Sequence, residues 1–291
     1  MRAAAEARLV VGFAQRTIGR SVTLSGTGLH TGTAVRITLR PGLPDGGIVF
    51  VRCDTPAAEP IRATIAAVTE SRRGVTLGAG EATVATVEHL LSAAVGMGVD
   101  NLRVEVDGPE LPALDGSAAG FVRALENAGS VDQHVPAREI HLGAAEISEG
   151  RGRAVTREGE DFRVTYTVEL PAPLGRQRCS AGLAGYREDI APARTWGFAD
   201  EAAALEAAGL ARGASLDNVL VIGPAGYVNA PRFPDEPARH KILDLVGDLA
   251  LLGARLRGAV EVIAGGHSLH LALAREITRR WGQRESERQV R

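Results

Sequence analysis

Thr83-Val-Ala-Thr-Val-Glu-His-Leu-Leu-Ser-Ala-Ala-Val-Gly-Met-Gly98, followed by Leu102-Arg-Val-Glu-Val106, decides the class of fold. In the first piece Val87, Leu90, Leu91 and Val95 recur at helical spacing, so residues 83–98 are read as a helix with one apolar side. In the second piece apolar and charged residues alternate with period two, the pattern of a half-buried strand. Upstream the alternation dominates. Val22–Gly26, Val35–Arg40 and Ile48–Arg52 read as strands, the last entered through a Gly-Gly turn. Downstream, Asp115-Gly-Ser-Ala-Ala opens a second helix over Ala118–Gly129, and Gly129–Pro136 reads as a linker.

The second half starts similarly. Ala154–Thr156 and Phe162–Leu170 read as strands, Glu201–Ala211 as an Ala/Leu-rich helix, and Asn218–Ile222 as a short buried strand before a turn at Gly223–Gly226. Arg239–Leu252 is a strong helix with Ile242, Leu245, Leu249 and Leu252 apolar, Ala259–Ile263 a strand, and Leu269–Trp281 a final helix. Both halves run strands, helix, strand, helix. This predicts an α+β class of two similar domains, 15–130 and 136–283, although repetition at the level of residues is faint. Residues 1–14 read as a poorly ordered extension rather than a signal peptide, and 284–291 as a charged, solvated tail.

Composition bounds the function. The 291 residues are 45% hydrophobic, 23% charged and only 4% aromatic, so the core is built from Val, Leu, Ile and Ala. No stretch reaches the ~18 apolar residues of a membrane span, and a net charge of −2 offers no basic footprint for nucleic acid. Cys53 and Cys179 are isolated, which suits a reducing compartment and excludes a cysteine-based zinc site. Of 33 basic residues, Lys241 is the only lysine. It marks a candidate position for a compact ammonium rather than a planar guanidinium, or is a leftover codon.

Three motifs carry possible chemistry. His240, Asp244 and Asp248 lie at i, i+4 and i+8, on one face of a helix, where a His and an Asp one turn apart can both ligate a divalent metal. A solvated polar face has the same pattern. Glu88 and His89 interrupt an apolar helix, as do a general base beside a metal ligand or a buried His paired with its Glu. His267, after a strand and Gly265-Gly266, is a general acid, a third ligand or a structural residue. Together they make a fuller set. Two His and one Asp can hold zinc with an open position, or Fe(II) equally. Glu88 then serves as base, His267 supplies a proton to a leaving group, and Asp248 holds the second nitrogen of His267. That set suits metal-assisted hydrolysis of an amide or ester.

Six ordered motifs then resemble one family. Gly26-Thr-Gly-Leu-His-Thr-Gly, Thr86-Val-Glu-His-Leu-Leu-Ser-Ala, Asp100-Asn-Leu with Leu114-Asp-Gly-Ser-Ala-Ala, Ala193-Arg-Thr-Trp-Gly-Phe, Arg239-His-Lys-Ile-Leu-Asp-Leu-Val-Gly-Asp-Leu and Gly266-His-Ser-Leu look like UDP-3-O-acyl-N-acetylglucosamine deacetylase, a zinc amidase of lipid A synthesis. The resemblance implies two domains, each a sheet layered against helices, with the active site at their interface. It implies zinc on His89, His240 and Asp244, Glu88 as general base, His267 as general acid with Asp248 as its partner, and Thr195 at the oxyanion. Lys241, Trp196, Phe198 and Gly266 fall at substrate-contacting positions, and a strand–helix–strand insertion at about 196–227 would enclose the 3-O-acyl chain. Burying such a chain gains roughly 0.8 kcal/mol per CH₂. The implied protein is a cytoplasmic monomer whose partner is an acylated UDP-sugar. Another N-acetylated nucleotide sugar, or sugar-nucleotide binding without catalysis, are the alternative readings. Three positions depart from the family pattern: Trp196 replaces a usual Phe, Ser71–Thr76 lacks a usual hydroxyl- or thiol-bearing pair, and His270 stands where Asn is frequent.

Overall fold

The computed structural model describes residues 13–55, 57–80 and 82–289, with side chains described through Arg280. It is an α+β fold built on two five-stranded sheets. The first runs, in spatial order, Val22–Thr27, Ala34–Pro41, Leu102–Val106, Ile48–Arg52 and Ile61–Arg62. The second runs Ala145–Glu149, Gly152–Arg157, Ala259–Ile263, Arg163–Glu169 and Arg176–Gly182. In each sheet the last strand in sequence enters the middle, antiparallel to the second strand and parallel to the third. The two halves therefore share order and orientation. The repeat is faint in sequence because a strand needs only its inward-facing positions to be apolar.

Among the described residues six helices accompany the sheets: α1 (Glu88–Gly96), α2 (Ala119–Ala128), α3 (Tyr186–Asp189), α4 (Ala202–Ala207), α5 (Glu236–Leu249) and α6 (His267–Gln289). α1 and α5 pack on each other, one from each half of the chain. Gly247 permits this: a Cβ there would run into the backbone of Glu88. Leu90, Leu91, Leu243 and Val246 are buried in one apolar core that also includes Val104 and Val262 from the centres of the two sheets. Among the described residues no helix is long and apolar enough to cross a membrane.

Several elements differ from the expected ones. The helix expected over 83–98 begins at Glu88, because Ala82–Val84 is a strand paired with Thr76–Ala79. Val84 and Leu77, opposite each other, are both fully buried, and that packing overrides the helical spacing. The expected linker 129–136 is a strand, Ser130–Pro136, paired antiparallel with Ala14–Ile18. Its residues are mostly exposed, so its partner is chosen by backbone bonds rather than by an apolar pattern. Ala14, placed in the extension, opens that N-terminal strand, while residues 1–12 lie outside the described residues. α4 is shorter than 201–211 because Gly209 and Ala211 both take positive φ and turn the chain. α5 starts three residues earlier than Arg239, with Pro237 in its first turn, where a missing N–H costs nothing. α6 starts at His267 and runs on through the expected tail to Gln289; the side chains of that tail, and residues 290–291, lie outside the description.

Candidate active site

α1 and α5 cross so that their polar residues meet. His240 and Asp244 are one turn apart on α5, and His89 enters from the first turn of α1. Ligand atoms of these three lie within 4.8 Å of one another, and all three residues are buried. The Nε2 atoms of His240 and His89 stand 3.2 Å and 3.8 Å from Asp244 Oδ1. His240 donates its Nδ1–H to the Ala193 carbonyl at 3.1 Å, which turns Nε2 toward the cluster. That carbonyl is held in turn. Arg194 pairs with Glu236 at the start of α5, at 3.0 Å, and both are buried. Burial, then the neighbouring His240, push His89 down to about 3, so it is neutral. Burial opposes the charge on Asp244, but His240 and Lys241 outweigh it and hold that carboxyl well below its usual range. A neutral His89, the Nε2 of His240 and the Asp244 carboxylate converge as two nitrogen donors and one oxygen donor, a set that suits a borderline divalent cation.

Two further buried titratable residues, Glu88 and His267, lie near this cluster. Glu88 is 3% exposed, and its Oε2 accepts the Val75 N–H at 3.0 Å. Gly74, with φ +151°, lies against it: a Cβ there would stand 3.0 Å from Glu88 Oε1. Burial raises the Glu88 carboxyl to about 7, partly offset by His267. His267 begins α6 and donates Nδ1–H to Asp248 Oδ2 at 2.8 Å, while its Nε2 lies 3.9 Å from Asp244 Oδ2. Burial disfavours its charge, but Asp248 and Asp244 prevail and raise it to about 9. Burial thus favours the protonated Glu88 carboxyl while Asp248 and Asp244 favour the protonated His267, two raised groups of the kind that cluster at functional sites.

Of the residues expected to contact substrate, Lys241 touches the cluster directly and Trp196 is linked to it through Lys241. Lys241 Nζ donates to Asp244 Oδ2 at 2.8 Å, leaving Oδ1 to the histidines. Its Nζ also lies 5.8 Å from the Trp196 ring. Trp196 and Phe198 alternate on one strand and meet edge to face at 5.7 Å. That strand, Trp196–Phe198, pairs in parallel with Leu220–Gly223, and α4 lies in the connection between them. Thr195 is fixed by its backbone, with its N–H on the Gly116 carbonyl and its own carbonyl on the Leu220 N–H. Its hydroxyl makes no hydrogen bond to the His/Asp cluster among the described residues. Gly266 faces open space.

Sequence reasoning misses the support around Asp248. His270, fully buried, donates Nδ1–H to the same Asp248 Oδ2 at 2.7 Å, so its Nε2 accepts the Tyr166 hydroxyl at 2.9 Å. Burial lowers the His270 pKa against the pull of Asp248, which keeps the ring neutral. Tyr166 carries no motif. It reads as a strand residue, and only its fold partner reveals the bond. The Arg194–Glu236 pair is equally hidden, although Arg194 lies inside a quoted motif.

A profile of the family described as LpxC, UDP-3-O-acyl N-acetylglycosamine deacetylase, matches residues 15–279. A curated UDP-3-O-acyl-N-acetylglucosamine deacetylase of Anaeromyxobacter sp. (strain Fw109-5) is 42% identical, over 90% of this chain and 88% of its own. Proteins of the same name from Phenylobacterium zucineum (strain HLK1) and Myxococcus xanthus (strain DK1622) are 42% and 39% identical, each over 91% of this chain.

Proposed function

The chain belongs to the UDP-3-O-acyl N-acetylglycosamine deacetylase family, and on that premise we propose that it hydrolyses the acetamide of UDP-3-O-acyl-N-acetylglucosamine to acetate and UDP-3-O-acyl-glucosamine, the committed step of lipid A synthesis. The carrying observation is the convergence of buried His89, His240 and Asp244, with Glu88 preceding His89 on α1 and the His267–Asp248 pair beside Asp244. In this reading those three residues hold zinc, ferrous iron being acceptable to the same donors, and the ion when bound polarises the amide carbonyl as a Lewis acid.

The chain's own groups do the rest. Glu88 takes a proton from the attacking water, and its buried carboxyl is basic enough to keep it until the next step. The Thr195 hydroxyl donates to the oxyanion that attack creates. His267 gives its proton to the departing amine nitrogen, so the C–N bond breaks without expelling an amide anion. Asp248 sustains the charged form of His267 until then. Lys241 supplies positive charge on the diphosphate side, and Trp196, Phe198 and Gly266 bound the sugar. The insertion at 196–227 gives the acyl chain an apolar passage. We place the reaction in the cytoplasm and assign the two halves as separate domains, 15–130 and 136–283, with the site where they meet.

Two results test this reading. Acetate release should be far faster from the 3-O-acylated substrate than from plain UDP-N-acetylglucosamine; equal rates would assign the enzyme to another N-acetylated nucleotide sugar. The kcat/KM profile should be a bell. Activity rises with pH as Glu88 ionises, at or below about 7, since a bound cation only favours the carboxylate. It falls again as His267 loses its proton, at or below about 9, since the same cation disfavours the imidazolium. Asp248→Asn removes the carboxylate that raises His267, so the basic limb should move to lower pH while the metal stays bound. A limb that does not move would mean another group sets it.

A further inference from the structure

Thr86 has φ +57°. For a β-branched residue this left-handed backbone is an outlier, and such strain persists only where the surroundings impose it. It lies two residues before Glu88 and three before His89. What imposes it is visible. The Thr86 hydroxyl donates to Glu110 Oε1 at 3.0 Å, and both side chains are buried. The backbone is pinned alongside: Ala85 N–H to the Pro109 carbonyl at 2.8 Å, and Leu111 N–H to the Ala85 carbonyl at 3.1 Å.

Glu110 is 1% exposed, and among the described residues no basic side chain is hydrogen-bonded to it. Its oxygens are instead filled by four donors: the Thr86 hydroxyl, the N–H of His30 at 2.9 Å, and the N–H and hydroxyl of Thr31 at 2.8 Å and 2.7 Å. Gly28 makes room, since a Cβ there would collide with the carboxylate. Four hydrogen bonds are a large investment for a turn, and a buried carboxylate satisfied only by neutral donors is expensive unless its geometry is needed. The bonds run from the Gly26–Gly32 motif, through Glu110, to the residue that launches α1.

We propose that Glu110 and Thr86 are positioning residues for the reaction: Glu110 locks Thr86 in the left-handed conformation, and that turn aims Glu88 at the attacking water and His89 at the metal. Neither touches the reacting atoms. The proposal rests on the roles given above to Glu88 and His89.

The test uses the zinc-loaded full-length enzyme with kcat, KM, metal content and melting temperature measured for each variant. Thr86→Val keeps the side-chain shape and loses the hydroxyl. It should lower kcat about 10- to 100-fold, the cost of a misplacement near an ångström, with KM little changed. Thr86→Gly takes positive φ without help and should recover most of that loss. Glu110→Gln should lower kcat similarly in the wild-type background, but by less than about threefold once position 86 is Gly, because its target is gone. Wild-type kcat in Thr86→Val would overturn the proposal. So would a Glu110→Gln effect undiminished in the Thr86→Gly background, which would put Glu110's role in the His30–Thr31 turn alone. If Thr86→Val does not fold, the Glu110→Gln pair decides by itself. Glu88→Gln measured alongside separates the two levels: activity there overturns the assigned base, whereas an inactive Glu88→Gln beside a fully active Thr86→Val overturns only this inference.

Discussion

Glu88→Gln should retain one equivalent of zinc, keep its melting temperature and lose about 10²–10⁴-fold in kcat, the contribution typical of a positioned general base. The amide is nearly isosteric and can still accept the Val75 N–H through its oxygen, so the loop carrying Gly74 stays in place. What it cannot do is take a proton. The site around Glu88 gives that proton nowhere else to go: His89 is held neutral but faces the Asp244 cluster, and His267 is already charged. Zinc content by metal analysis and single-substrate kinetics check this together. Turnover near the wild-type rate with an unchanged pH profile would leave the mechanism without its base.

Asp244→Ala should lose stoichiometric metal, and with it activity down to background. Two histidines remain, which is an incomplete set for a catalytic divalent ion. The substitution also strands Lys241, whose ammonium is partly buried and gains its stability from that carboxylate. Removing one partner of such a pair leaves the other charge uncompensated, so a lowered melting temperature is expected as well. Zinc retained at one equivalent would put the third donor elsewhere, Asp248 being the first candidate, since it forms a second buried cluster with His267 and His270.

Much of the site is legible in the sequence. The His240–Asp244–Asp248 spacing and the Glu88-His89 pair sit on helices, where neighbours in space are set by a fixed period, and the crossing of α1 on α5 brings both together. The central strand Leu102–Val106 is readable for the same reason, its alternation being strict. Ser130–Pro136 is not, because an exposed strand needs only a backbone partner, and that partner is 112 or more positions away in pairs such as Ile18↔Ser130. The start of α1 is hard to read because Ala82–Val84 is held as a strand by buried pairing with Thr76–Ala79, and Thr86 beyond it is bonded to Glu110, a residue whose sequence context carries no sign of the bond. Tyr166, His270 and the Arg194–Glu236 pair are hidden likewise, each joining residues far apart in the chain. Long-range polar contacts leave no period in a sequence, and the supports of a site consist mostly of them.

In the proposed reaction, one divalent ion held by His89, His240 and Asp244 would make this chain an amidase for the acylated UDP-sugar. The most direct test strips the protein of metal and titrates zinc back while following acetate release from UDP-3-O-acyl-N-acetylglucosamine. Activity should be absent in the metal-free protein, rise linearly and break at one equivalent. Acetate release at full rate without metal, or none at one equivalent bound, would contradict it.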